Sequence, residues 1–177
     1  MFEKSHETEE HAQRLVSLSK AVGMALDLSQ AELDKLVLLA SLHDIGKVGI
    51  RDDILTKQGE LDDMEWEEMK RHPEIGYRIA KTSPDLAPIA EGILCHHEWW
   101  DGSGYPQGIR GESIPLISRI VAVVDAYDAM TNDRPYRKAL NHETAIKRIK
   151  QNAGTQFDPN IVKIFTEIVF DNTICMN

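Results

Sequence analysis

The chain has 177 residues, 42% of them apolar, and a formal net charge of −9. That length suits one domain with one core over residues 1–177, and the apolar share excludes a disordered chain. The negative charge argues against a protein that binds a DNA or RNA duplex through a broad basic face, but it leaves a small anionic ligand open. No apolar run approaches the ~20 residues that span a bilayer, so the sequence contains no membrane segment.

Cysteine usage and the first residues indicate the compartment. Two cysteines, Cys95 and Cys175, make no disulfide framework, and the opening MFEKSHETEE is too acidic and polar for a signal peptide. We therefore expect a cytoplasmic protein. Cys95 stands beside His96, so a metal-ligand role competes with a plain structural one, and we favour a small buried core residue.

Apolar residues recur at helical spacing along nearly the whole chain, which predicts an all-α fold of about seven to eight helices. The first predicted helix carries the apolar stripe Leu15, Leu18, Val22 and Leu26, and the second begins at a capping box of Ser29 and Glu32. The third begins at the capping pattern of Asp62 and Glu65 and ends near Arg71. The fourth has Pro73 in its first turn and ends before Pro84. The fifth and sixth predicted helices cover residues 87–97 and 114–131. The seventh begins at Asn141, and the eighth runs from Asp158 to about Phe170. We also allow for a small hairpin between residues 49 and 61 and expect a structured loop over 101–115.

Two predicted helices place carboxylates where apolar side chains are expected. The inward stripe through Val37 and Ala40 continues to His43 and Asp44, and on the long helix Asp125 follows Val121 by four residues. An ionised carboxylate on a buried stripe is costly unless something compensates its charge. A bound metal ion would supply that compensation.

The candidate metal ligands form a set spread over five helical segments. Taken singly, a histidine is more readily a hydrogen-bonded core residue, but two adjacent pairs together with buried carboxylates favour a metal cluster. The donors are nitrogen and oxygen and exceed the four of a structural zinc site, which suits octahedral iron or manganese. The set is His11, His43, Asp44, His72, His96, His97 and Asp125, with Glu7 four residues before His11 on the same helix face.

Several motifs in order resemble the HD-GYP domain, a branch of the HD superfamily of metal-dependent phosphohydrolases. They are LHDIGKVGI at 42–50, HPEIGYRIA at 72–80, HHEWWDGSGYP at 96–106, VVDAYDAM at 123–130 and GTQFDP at 154–159. The resemblance covers nearly the whole chain and implies a single HD-GYP domain, a compact helical bundle around a buried metal centre. It also implies two or three divalent ions, most readily iron or manganese, and hydrolysis of cyclic di-GMP, for which we expect linear pGpG as the product of a metal-bound hydroxide. Further cleavage to GMP would need the linear product to rebind.

Carried over by motif, the resemblance assigns the seven residues of that set as metal ligands and Glu7 as the extra ligand of trinuclear members. Asp44 is our candidate bridging ligand. Lys47, one turn beyond it, would stabilise the phosphate or protonate the leaving oxygen, against the alternative of a surface lysine. Candidate substrate contacts are Tyr105, Asp128, Arg134 and Arg137. Asp128 has the alternative of a cap or a partner of Arg134.

Other functions stay open at this stage. The same site could act on another cyclic dinucleotide such as 3′3′-cGAMP or on a different phosphoester. A rival of another class is a non-catalytic module that senses the nucleotide or docks a partner. The resemblance suggests GGDEF-domain proteins as partners through the GYP loop, Gly104 to Pro106, and the oligomeric state stays open. For Trp99 and Trp100 we favour anchoring of the loop over stacking on guanine.

Overall fold

The computed structural model describes residues 9–133 and 138–175, and within them it is all helical, with no β-strand. The α-helices are α1 (Glu9–Ala25), α2 (Gln30–Leu42), α3 (Asp52–Leu55), α4 (Asp63–Met69), α5 (His72–Thr82), α6 (Ala90–Cys95), α7 (Leu116–Thr131), α8 (His142–Gln151) and α9 (Pro159–Cys175). Short 3₁₀ helices cover Ile45–Gly49, Ala87–Ile89 and Gly111–Ser113. The predicted fold class is confirmed.

The predicted helix starts are present because side chains satisfy the first free amides. Ser29 and Glu32 form a complete capping box at α2, as do Asp62 and Glu65 at α4. The Asn141 side chain caps α8 by accepting a hydrogen bond from the amide of Thr144.

One predicted hairpin and two predicted helix boundaries were wrong. The hairpin between residues 49 and 61 is absent; α3 occupies part of that stretch and buries Ile54 in the core. The helix expected over 87–97 begins as a 3₁₀ turn and continues as α6, with His96 at its C-cap. The last helix continues past Phe170 to Cys175. Burial of Ile54 favours α3 over a hairpin in the first case, and in the second Pro88 stands in the first turn of the 3₁₀ helix.

The core lies where α1 packs against α2 and α7, with α9 against α1 and α7. Leu15, Leu36, Val121, Val124 and Phe165 are essentially inaccessible to solvent there. A second group of contacts packs α5 against α6 and against the 3₁₀ helix Ile45–Gly49. These contacts bring the end of α2, the start of α5, the end of α6 and one face of α7 to the same region. None of the described helices has both the length and the apolar character needed to cross a membrane.

Candidate metal centre

The chain leaves the α-helical path between His43 and Asp44. α2 ends at Leu42, His43 is its C-cap with helical backbone angles, and Asp44 turns away with φ −96° and ψ 11° before the 3₁₀ helix. The inward stripe of α2 therefore reaches His43 but not Asp44, which corrects the helical placement we inferred for Asp44. The turn directs its carboxylate towards α5 instead.

Gly46 makes this turn possible because it lies against the backbone of α5. A Cβ atom at Gly46 would stand 1.9 Å from the His72 carbonyl oxygen and 2.5 Å from the Gly76 nitrogen, so any side chain would collide with main-chain atoms. The close approach brings Asp44 to the first residue of α5. As a result, Asp44 Oδ1 lies 3.1 Å from His72 Nε2.

The four-residue cluster, which we define as Asp44, His72, His96 and His97, offers one donor atom from each side chain within 4.8 Å of the others. His72 Nδ1 donates to the Met69 carbonyl at 2.8 Å, and His96 Nδ1 donates to the Ile93 carbonyl at 2.6 Å. In a neutral ring the other nitrogen then carries the lone pair. The two Nε2 atoms lie 3.2 Å apart, so two lone pairs face each other where a cation would fit.

The electrostatics of this cluster favour metal ligation. Burial lowers the pKa of His96, and burial with neighbouring histidines lowers that of His97 further, so both rings stay neutral near pH 7. Burial would raise the pKa of Asp44, but the nearby Lys47 ammonium and His43 outweigh it and hold that pKa well below its ordinary value. Neutral imidazoles beside an ionised carboxylate are the protonation states that metals bind.

The three-residue cluster, His11, His43 and Asp125, lies next to the first. His43 Nδ1 donates to the Ala40 carbonyl at 3.2 Å, and His11 Nε2 lies 3.7 Å from Asp125 Oδ1. Asp44 stands between the clusters: its Oδ2 lies 3.2 Å from His43 Nε2, while its Oδ1 faces His72. Each oxygen of one carboxylate thus faces a different cluster.

The donor set of both clusters fits divalent transition-metal ions. It consists of imidazole nitrogens and carboxylate oxygens from seven side chains, all of which were predicted as ligands from the sequence. Cys95 belongs to neither cluster; it is buried, as expected, and burial with nearby carboxylates raises its pKa to about 12. A set without thiolate suits iron, manganese or similar ions better than a structural zinc.

Asp128 holds the ring of His11 from behind. Its Oδ2 accepts from His11 Nδ1 at 2.6 Å, and the carboxylate also accepts from Arg14 and from the Asn132 side chain. Burial would raise the pKa of Asp128, but the hydrogen bonds from His11 and Arg14 outweigh it and lower that pKa. Carboxylate–histidine–metal triads of this kind fix the tautomer and orientation of a ligand.

The chain matches the sequence pattern of a family described as HD domain over residues 2–161. This chain belongs to the HD domain family. It is 42% identical over 164 residues to a cyclic di-GMP phosphodiesterase of Thermotoga maritima, covering 92% of this chain and 45% of that protein. It is also 37% identical over 166 residues to the 3′3′-cGAMP-specific phosphodiesterase 2 of Vibrio cholerae, covering 93% and 32%.

A solved structure supports the fold of this HD domain. The crystal structure of a cyclic GMP-AMP specific phosphodiesterase of V. cholerae (V-cGAP3) aligns with a TM-score of 0.69 at 25% identity, covering 92% of this chain and 44% of that one. The family predicted from the motifs is confirmed. The chain spans less than half the length of the curated relatives it matches.

Lys47 and Tyr105 lie at the edge of the HD-domain centre. Lys47 Nζ lies 2.6 Å from Asp44 Oδ2, and its side chain is partly exposed. The Tyr105 ring stacks on His97 with centroids 4.9 Å apart, and the Trp66 ring lies edge-on to Tyr105 with centroids 6.2 Å apart. Burial raises the pKa of Tyr105, so its hydroxyl stays protonated.

The loop that carries Tyr105 packs against the segment from His97 to Trp99. A Cβ atom at Gly104 would lie 2.2 Å from the Trp99 nitrogen, which explains the glycine of this motif. The buried Glu98 accepts hydrogen bonds from the amides of Gln107 and Gly108, and the amide of Tyr105 donates to the His97 carbonyl. These hydrogen bonds connect the loop directly to His97 and Glu98, which follow α6.

Some predicted residues lie outside the part of the chain that the structure describes: Glu7, Arg134 and Arg137. Trp100, half-buried, has the Arg119 guanidinium over its ring at 5.7 Å, and Trp99 is 38% exposed.

Sequence reasoning missed Arg14, Gly46, Trp66 and Glu98. Arg14 has a usable signal, because it lies one helical turn after His11 on α1 and so shares its face. The other three act through approaches between distant segments that spacing alone does not reveal.

Proposed function

We propose that this chain is a cyclic di-GMP phosphodiesterase that uses two or three divalent ions, iron or manganese most readily, and forms pGpG. Further cleavage to GMP requires the linear product to rebind, which a third ion at Glu7 would favour. The observation that carries the proposal is the pair of adjacent clusters with Asp44 between them. The names of the relatives support a cyclic dinucleotide as the substrate class. We further propose that the chain acts as a single HD-GYP domain over 1–177 in the cytoplasm.

Bound ions at such paired sites supply a water-derived nucleophile near neutral pH and neutralise the phosphate oxygens. The chain's own part begins with Asp44, whose two oxygens face the two clusters, so we propose it as the bridging ligand. Glu7 stays our candidate for a third ion. The histidines act by presenting fixed, neutral lone pairs.

We propose that Lys47 interacts with the phosphate. Its ammonium lies beside Asp44 and is partly exposed, so a phosphate brought to this carboxylate would meet it. From there it stabilises phosphate charge or gives a proton to the leaving 3′ oxygen. Arg134 and Arg137 stay candidates for the second phosphate. For Asp128, whose oxygens are engaged by protein donors, we propose orientation of His11 instead of substrate contact.

The aromatic line from His97 through Tyr105 to Trp66 leads from the four-residue cluster to the surface. Trp66 is 46% exposed, which leaves ring surface for a nucleobase to stack on. We propose that Tyr105 contacts the substrate directly. The same loop is our candidate surface for a GGDEF-domain partner.

A substrate assay with anaerobically purified protein tests this proposal. The double variant His43→Ala/Asp44→Ala should lose metal and hydrolysis of cyclic di-GMP together, since it removes donors from both clusters. His142→Ala is the matched control, because His142 is a histidine on α8 outside both clusters, where its ring contacts the Tyr127 hydroxyl instead of a predicted ligand. It should keep wild-type metal content and rate, with pGpG detected by chromatography.

Three outcomes would contradict the proposal. Wild-type protein without bound metal would exclude the mechanism. Metal with micromolar nucleotide binding but no turnover would favour the sensing module. A higher kcat/KM for 3′3′-cGAMP than for cyclic di-GMP would favour 3′3′-cGAMP as the substrate. One relative that is 37% identical is named a 3′3′-cGAMP-specific phosphodiesterase.

A further inference from the structure

The carboxylate of Asp128 is the meeting point of three donors. It is 3% exposed, and it accepts from His11 Nδ1 at 2.6 Å and from Asn132 Nδ2 at 3.0 Å. Arg14 contacts both oxygens, with Nε 2.5 Å from Oδ1 and Nη2 3.1 Å from Oδ2. This network ties α1 to the end of α7 directly behind a predicted metal ligand.

The two-point contact of Arg14 matters for geometry. A guanidinium that engages both oxygens fixes the rotation of a carboxylate, whereas one point contact leaves it free to turn. With the carboxylate fixed, Oδ2 faces His11 Nδ1, and His11 Nε2 is directed towards Asp125. The ring of His11 is therefore oriented by a side chain that is itself oriented by another side chain.

We propose that Arg14 is a positioning residue for the three-residue cluster, acting through Asp128 on the ring of His11. Loss of Arg14 selectively weakens the ion bound by His11, His43 and Asp125. The four-residue cluster is spared, because His72 and His96 are oriented by the carbonyls of Met69 and Ile93. The inference rests on the metal use proposed above, but not on the nucleotide substrate.

The matched control is Arg119, another arginine paired with a buried carboxylate. Its Nη1 lies 2.7 Å from Asp158 Oδ2 and its Nε donates to the Ile114 carbonyl, with neither acceptor in a metal cluster. Arg119→Ala removes a comparable interaction from the same all-α fold. It separates a general loss of stability from a specific loss of metal positioning.

The experiment is an anaerobic calorimetric titration of the metal-free full chain with Mn²⁺. Thermal unfolding of the same proteins is measured in parallel. We expect Arg14→Ala to weaken one ion by about tenfold and leave the other unchanged, since loss of an outer-shell partner itself costs about 10–100-fold and Asp128 remains. Arg119→Ala should lower Tm and leave both affinities unchanged. Arg14→Lys keeps the charge but loses the two-point contact, so we expect about a tenfold loss at the same ion.

Wild-type affinities in both Arg14 variants would overturn the assignment, as would equal weakening of both ions. If Arg14→Ala does not fold, Arg14→Lys decides by the same criteria. Wild-type protein that binds both ions but does not hydrolyse cyclic di-GMP would contradict the proposed function and support this inference if Arg14→Ala still weakens one ion. Absence of any ion binding would overturn both.

Discussion

The two clusters lie side by side but are held in different ways. In the four-residue cluster, His72 and His96 donate to backbone carbonyls three residues earlier, so the turn from α4 into α5 and the end of α6 already orient their rings. In the three-residue cluster, His43 is held in the same way by the Ala40 carbonyl, but His11 donates to the Asp128 side chain, which depends on Arg14. Geometry built on backbone carbonyls resists single substitutions, whereas geometry built on side chains is easily changed by one. The second arrangement allows the affinity for one ion to be adjusted without disturbing the other.

Gly46→Ala should have the largest effect, because it separates the turn carrying Asp44 from α5. The new Cβ would lie 1.9 Å from the His72 carbonyl oxygen, so the backbone has to shift. We expect a loss of about 3 kcal/mol or more in the free energy of unfolding, with loss of metal at the four-residue cluster. Gly49→Ala is the control, since its Cβ meets the Ile75 side chain at 2.9 Å instead of main-chain atoms. Equal effects in urea unfolding would contradict the account.

Removing one histidine from each cluster compares them directly. With Asp44 shared between the clusters, as proposed above, each cluster has three further protein donors, and His11→Ala or His72→Ala removes one of them. We expect each variant to weaken the ion of its own cluster by more than about 100-fold, because even outer-shell changes cost about 10–100-fold, and to weaken the other ion much less. Anaerobic Mn²⁺ titration checks this separation. Equal weakening of both ions by either variant would contradict two separate sites.

The fold and the membership of the two clusters were predictable because local sequence patterns indicate both. Helical periodicity gave the long helices, and the capping residues gave the starts of α2, α4 and α8. The carboxylate on the inward stripe of α7 marked Asp125 as a residue that needs a cation. Motif order then selected the family.

The remaining features depend on contacts between distant segments. The exit of Asp44 from α2 follows from the contact of Gly46 with α5, which no spacing rule contains. Arg14 resembles a solvated surface charge until Asp128, 114 residues away, is placed beside it. Glu98 supports the Tyr105 loop through main-chain amides, which are not distinguishable from sequence.

Acid should destabilise the metal-free protein through the four-residue cluster. Burial holds the pKa of His96 below its ordinary 6.5 in the folded state, so below pH 6.5 the unfolded chain binds more protons. Stability is therefore fully present above pH 6.5 and is lost as pH falls towards the folded pKa, by at most about 1.4 kcal/mol per pH unit for this residue. Denaturant unfolding between pH 7.5 and 5 measures the slope, and His96→Gln should reduce it. An unchanged slope in that variant would show that other groups govern the acid response.

The smallest effect is expected at Cys95, beside the ligands but outside both clusters. Burial, with the charges of Glu98 and Glu91, raises its pKa to about 12, so little thiolate exists at pH 8. We expect Cys95 to be alkylated far more slowly than the same cysteine in urea, as followed by peptide mass spectrometry. Cys95→Ala should leave the metal content unchanged. A drop in bound metal in that variant would revive the ligand role.

The most direct test of the account is the number of ions and their link to turnover. Metal-free wild-type protein should take up Mn²⁺ or Fe²⁺ in at least two steps of different affinity, and hydrolysis of cyclic di-GMP should rise only as the later step fills. A single ion per chain, or full activity when only the first step is filled, would contradict the assignment of two neighbouring sites that act together.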